Sequence, residues 1–229
     1  MITRLISNFL NDLPAFLLSL PIILFALSAH EAAHGYAAYR LGDPTARNLG
    51  RLTLNPFKHL DPMGFLCMVL FHFGWAKPVP INTRNFKNPR RDMALTGIAG
   101  PVSNLLIAFA GVLVMRIYVI FVDPIFLMGS SFGATVAYLV YKFLYSWITL
   151  NLSLAIFNLI PVPPLDGSRF CYVLLPDKIY FGIMKYERYI SLALMVLLFF
   201  GVLSTPLNWI VQKLMWLMGK LVAMPSWAL

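Results

Sequence analysis

Two histidines four residues apart, with a glutamate directly after the first, stand in the run LSLPIILFALSAHEAAHGYAAYRL at residues 18–41. In a helix that spacing puts the imidazoles of His30 and His34 on one face, where both can bind a single metal ion. Glu31 then places a carboxylate beside the metal, able to take a proton from a water there. The H-E-x-x-H pattern also occurs by chance, but ionisable groups inside a strongly apolar helix are costly and mark functional sites. The competing account is a helix whose few polar groups are satisfied inside a bundle. The chemistry at stake is metal-assisted hydrolysis.

The chain has 229 residues, of which 59% are hydrophobic and only 12% charged, with mean hydropathy +0.75. Soluble domains carry about a quarter charged residues. The composition therefore predicts an all-α polytopic membrane protein, one bundle over 1–229 with a core at 13–175 and C-terminal helices at 178–229. The formal net charge of +9 fits cationic loops on the inner face of a membrane. Nucleic-acid binding is excluded as a reading, because no basic face or recognition motif is present. Cys67 and Cys171 lie in apolar surroundings and form neither a disulfide framework nor a cysteine metal site. The apolar N-terminal segment could imitate a signal peptide. Cleavage near Ala29 would strip His30 and Glu31 of their helix, so a retained transmembrane helix is expected.

Residues 1–12 read as an interfacial stretch and 13–41 as the first span, ended by Gly42-Asp43-Pro44. Alternation at 45–54 predicts a short strand. His59 is a possible fourth ligand, although a loop histidine is the simpler reading. Residues 62–75 are apolar but too short to span, which predicts a re-entrant or interfacial segment with His72 as an interfacial anchor. Residues 77–91 carry prolines and cations and suit an edge strand or loop. Nine of the chain's 18 Lys and Arg fall between Arg40 and Arg91. The positive-inside rule puts that region in the cytoplasm and the N-terminus outside. Further spans are expected at 93–122, 134–159 and 189–203, with a fifth apolar segment at 207–222 that Lys213 and Lys220 leave open between span and interfacial helix. The Asp123-Pro124 loop has no cation before Ser131 and suits the outer face. The expected architecture is about four to five transmembrane helices with a small re-entrant and β-strand insertion after the first.

Catalytic zinc commonly takes three protein ligands and leaves one position for water. Most of the nine acidic residues sit at ends, in loops or on the opposite face. Asp166 alone follows directly on a proline-broken span on the side of His30 and His34, so topology selects it. The alternative for Asp166 is a helix N-cap after Pro164.

With HEAAH at 30–34, GPVSN at 100–104 and NLIPVPPLDG at 158–167, the chain resembles the site-2 protease family of intramembrane zinc metalloproteases. The stretches GRLTLNPFKHLDPMG and GWAKPVP add to the likeness, which covers about residues 20–175. The resemblance implies one zinc per chain held by His30, His34 and Asp166, with Glu31 as general base. It also places Asn104 and Asn158 near the active site. Asn158 is a candidate donor to the oxyanion or substrate backbone; Asn104, with Gly100, has close helix packing as its alternative. Two departures stand out: no PDZ or CBS domain is expected, and the histidine motif falls in the first span.

The function expected is hydrolysis of peptide bonds within or near transmembrane segments of membrane protein substrates. The partners are then such a segment and the lipid bilayer. The location is a bacterial-type inner membrane, with the active site toward the cytoplasm. The strand-like stretches at 45–54 and 77–84 could clamp an unwound substrate by edge pairing. The alternative function is a zinc-binding or metal-transporting membrane protein, for which Glu31 has no use.

Overall fold

The computed structural model describes residues 2–71, 74–122, 131–225 and 228. His72 and the loop at 123–130 lie outside them, and with them the expectations of an interfacial anchor and an outer-face loop. The helices run α1 Ile2–Arg40, α2 Thr45–Asn48, α3 Pro62–Phe71, α4 Pro89–Phe121, α5 Phe132–Leu159, α6 Asp166–Leu174, α7 Asp177–Met184, α8 Glu187–Phe199 and α9 Ser204–Leu221. Among the described residues three segments are long and apolar enough to cross a membrane: Phe16–Arg40, Pro89–Phe121 and Phe132–Leu159.

The C-terminal region departs from expectation. The apolar run at 189–222 forms two helices bent by 79°, which together make at most one broken span. The 13 residues of α8 rise only about 20 Å, short of a hydrocarbon core of about 30 Å. Gly201 causes the break. Its φ of +69° lies in the left-handed region, its N–H bonds the Leu198 carbonyl, and the Val202 N–H bonds the Leu197 carbonyl. That is a glycine-closed helix end.

The insertion also differs. No strand forms among the described residues, and the only pairing there is an isolated antiparallel bridge between Leu60 and Ala76. The expected strand at 45–54 begins instead with the helical turn α2. The Asp43 carboxylate accepts the Thr45 N–H at 3.1 Å and the Thr45 hydroxyl, and this local cap outweighs the weak alternation. Of the apolar stretch at 62–75, Pro62–Phe71 forms the short helix α3. Residues 77–82 run without a ladder, pinned by side chains from elsewhere. Arg51 Nη2 donates to the Lys77 carbonyl at 2.7 Å, and Asp43 Oδ2 accepts the Asn82 N–H at 2.7 Å.

Between apolar helices in lipid, association comes from close packing rather than from burial out of water. The core follows that rule. Ala108, Val112, Met115 and Val119 of α4 meet Ile148, Leu152 and Ile156 of α5, with Val211 and Met215 of α9 closing the third side. Trp147 of α5 lies against Gly111, where any Cβ would stand 2.6 Å from its ring, and its indole N–H bonds the Ile107 carbonyl at 3.2 Å. This contact sets the height of α5 against α4, and so the height of the polar residues one turn further on.

Candidate metal centre

The other half of α4 carries a polar ladder. Asp92, Thr96, Gly100 and Asn104 recur every fourth residue, so they share one face, and all four are buried. Pro89 opens the helix, and the Asp92 carboxylate accepts the Asn88 N–H at 3.0 Å. The ladder faces the His30–His34 face of α1, which has the same four-residue step.

The two registers mesh. His34 Nδ1 sits 2.7 Å from the Thr96 carbonyl, and His30 Nδ1 sits 2.6 Å from Asn104 Oδ1. A carbonyl only accepts, so His34 carries a proton on Nδ1, and the neutral ring then presents Nε2 as a lone pair. Gly100 lies beneath both rings. A Cβ there would stand 2.7 Å from His30 Nε2 and nearer still to His34 Nε2. No other residue fits that position.

Asp166 completes the cluster. Its Oδ2 stands 2.9 Å from His30 Nε2 and 3.0 Å from His34 Nε2, while the two Nε2 atoms are 3.0 Å apart. The N-cap of α6 is Leu165, and Asp166 is spent on the histidines instead. Arg169 approaches the other carboxylate oxygen at 3.7 Å. The three donors thus converge from α1 and α6 on one point. Oxygen and nitrogen ligands about 2.0–2.1 Å from a tetrahedral zinc stand roughly 3.4 Å apart, close to these spacings. Neutral imidazole lone pairs and a carboxylate aimed at one another repel unless a cation lies among them, so the donor set fits a metal ion such as zinc.

Glu31 points elsewhere on α1. Its Oε2 accepts the Val79 N–H at 2.8 Å, so the loop at 77–82 holds the carboxylate. Asn158 is not joined to the cluster; its amide donates to the Leu154 carbonyl at 2.9 Å, one turn back on α5. His59 is buried in its loop with Nε2 2.9 Å from the Thr53 carbonyl, and it lies outside the ligand group His30, His34 and Asp166. Sequence reasoning missed Asn151, fully buried on α5 and bonded to Asn104 at 3.0 Å. A lone amide at mid-span is the signal that could have found it.

YwhC of Bacillus subtilis (strain 168), named as a candidate zinc metalloprotease, is 42% identical over 178 residues, covering 76% of this chain and 77% of that protein. The chain belongs to peptidase family M50. The family profile itself matches residues 121–204, which include Asp166. The chain is also similar to Rip2 of Mycolicibacterium smegmatis, likewise named as a candidate zinc metalloprotease, at 29% identity over 69% of this chain and 57% of that protein. The zinc metalloprotease MJ0392 of Methanocaldococcus jannaschii is 29% identical over 80% of this chain, which spans 42% of that relative. No solved structure matches this M50 chain. The family and the three apolar helices make it a multi-pass membrane protein.

Proposed function

We propose that this chain is an intramembrane zinc endopeptidase that cuts transmembrane segments of membrane proteins. One observation carries the reading: three metal-ligand atoms of His30, His34 and Asp166 converge within 3.0 Å of one another inside apolar helices. His30, His34 and Asp166 would hold the zinc, which supplies an acidified water and a polarised scissile carbonyl. Glu31, next in sequence to a ligand, takes the proton from that water as its oxygen bonds the carbonyl carbon. The same carboxyl returns the proton to the departing amine as the peptide bond breaks, so no net proton is consumed. Arg169 stands 3.7 Å from the other Asp166 oxygen, a cation on the side of the carboxylate away from the histidines.

A peptide bond in a transmembrane helix is hidden in its own hydrogen bonds, so the substrate must unwind locally before it is cut. The loop at 77–82 is the surface for that strand, since beyond the Lys77 N–H on the His59 carbonyl it belongs to no ladder; the stretch at 45–54 starts as a helix and does not suit that role. The orientation follows from charge: the cationic stretch 40–91 faces the cytoplasm of a bacterial-type inner membrane, with the N-terminus outside and the metal centre toward the cytoplasmic side.

The test pairs zinc content with cleavage of single-span reporters in vesicles, for the native chain and Glu31→Gln. Near one zinc per chain in both, with cleavage only in the native chain, is the expected result. Zinc in both and cleavage in neither sinks the peptidase reading and leaves metal binding or transport.

A further inference from the structure

The tautomer of His30 is not decided at His30. Its Nδ1 faces an amide side chain, Asn104, and an amide can present either an accepting oxygen or a donating nitrogen. If Asn104 turned its nitrogen to the ring, Nδ1 would have to accept, the proton would move to Nε2, and the metal-facing lone pair would be gone.

Two partners fix which end of Asn104 faces His30, and one of them is itself fixed from further away. Asn151 Nδ2 lies 2.8 Å from the Trp147 carbonyl, which can only accept. The amide end facing Trp147 must therefore be the nitrogen, which leaves Asn151 Oδ1 toward Asn104 at 3.0 Å. Asn104 must then present Nδ2 to that oxygen, and the same nitrogen reaches the Ala26 carbonyl at 3.2 Å. Asn104 Oδ1 is left for His30, at 2.6 Å, and His30 must donate from Nδ1. In the neutral ring Nε2 is then the lone pair, 2.9 Å from Asp166 Oδ2. Asn104 and Asn151 are both fully buried, with no water-exposed face to offer another partner.

From this chain of forced choices we infer that Asn151 is a positioning residue, which acts through Asn104 to set the His30 tautomer and so present Nε2 to the metal. Every link runs one way, from the Trp147 carbonyl on α5, through α4, to α1. It also explains why α5 belongs to the site although it carries no ligand. The inference rests on the zinc-peptidase reading only for the use made of the lone pair; the tautomer itself is a property of the metal-free chain.

The experiment reads that tautomer directly. The chain has four histidines, so ¹⁵N- and ¹³C-labelled imidazoles of the full-length protein in nanodiscs can be assigned by single His→Gln replacements. In the native chain His30 is expected with its Nδ1 protonated. Asn151→Leu removes the acceptor that helps Ala26 orient Asn104. It should move the His30 signals toward the Nε2–H form and weaken zinc binding about 10–100-fold. Asn151→Asp keeps an accepting oxygen for Asn104 and, as a neutral carboxyl, still donates to Trp147, so it should restore both readouts. Ile148→Ala, on the same helix and also buried, should lower thermal stability without moving His30.

An Nε2–H form in the native chain overturns the inference without any variant, as does Asn151→Leu with His30 and zinc affinity unchanged. So does Ile148→Ala shifting His30 as far as Asn151→Leu does. A native chain that takes up no zinc, yet shows the Asn151-dependent tautomer, upholds the relay and removes the zinc reading instead.

Discussion

The ligand atoms and the proposed base are neighbours in sequence, yet they are held by different parts of the molecule. His30 and His34 are fixed by α4, and Asp166 by the first turn of α6, so the ligand set is built on helices alone. The Glu31 carboxylate is tied to the backbone of Val79, in a loop with no ladder. That loop is in turn stapled by Asp43 and Arg51. Helix-borne groups hold their geometry better than loop-borne ones. The difference teaches that metal binding and proton transfer are separable here: one fails when helices lose their register, the other when the loop is unpinned.

The sharpest way to break this separation is at Gly100. Gly100→Ala places a methyl group 2.7 Å from His30 Nε2 and closer to His34 Nε2, against the two ligand nitrogens. Zinc affinity is expected to fall by about 100-fold or more, taking all cleavage with it. Metal analysis after dialysis against a weak chelator checks it. An Ala variant that keeps a full complement of zinc would mean that the helices are not the rigid frame described above.

The converse change is Asp43→Ala. Its carboxylate accepts from the Thr45 N–H and hydroxyl, from the Asn82 N–H at 2.7 Å and from Asn85 Nδ2 at 2.7 Å, so it joins the end of α1 to the far side of the loop. Without it the loop can drift from Glu31 by about an ångström, which costs roughly a hundredfold in rate. Zinc content should stay near that of the native chain. Equal loss of zinc and cleavage would erase the distinction between the two regions.

These contrasts bear on what could be read from sequence. The motif at 30–34 and the choice of Asp166 were legible because ligand spacing and membrane topology both leave few alternatives. Asn104 was legible as a residue near the site but not in its job, because hydrogen bonding to His30 Nδ1 depends on the register of α1 against α4. Asn151 was harder to see, since one amide in a span has no periodicity and only its cost in lipid marks it. The strand expected at 45–54 failed because alternation over ten residues is weaker than the Asp43–Thr45 turn that leads into α2. Hydropathy saw two apolar runs after residue 188 but not their length in space, which the left-handed turn at Gly201 decides. The three long spans were legible because each is uninterrupted over more than 20 residues.

The Asp43 staple also predicts a pH dependence confined to the loop. Burial pushes the Asp43 carboxyl up, but hydrogen bonds from Thr45, Asn85 and the Asn82 backbone outweigh it and hold the group below its ordinary value. The unfolded or unstapled chain therefore binds the proton more readily than the folded one. Stability from this staple is fully present above an ordinary aspartate value of about 4 and is lost as pH falls through the lower folded value. Protease nicking within 77–85 should rise at acid pH in the native chain, and Asp43→Asn should be nicked at the same rate from pH 3 to 7.

The smallest effect is expected at Arg51, the second staple. Its Nη2 donates to the Lys77 carbonyl at 2.7 Å and more weakly to Pro78 at 3.4 Å, while its Nε is buried with no hydrogen-bond partner among the described residues. Arg51→Lys gives up the weaker contact and keeps one ammonium for the Lys77 carbonyl. It also removes the buried, unsatisfied Nε–H, whose desolvation counts against the native state. The two changes offset, so stability should move by no more than about 1 kcal/mol and cleavage by less than about threefold. Thermal melting and reporter cleavage measure both. A Lys variant as damaged as Asp43→Ala would mean that the guanidinium fork, with both carbonyls, sets the position of Val79 and hence of Glu31. The loop would then be held from the α2 side, and Asp43 would serve only to end α1.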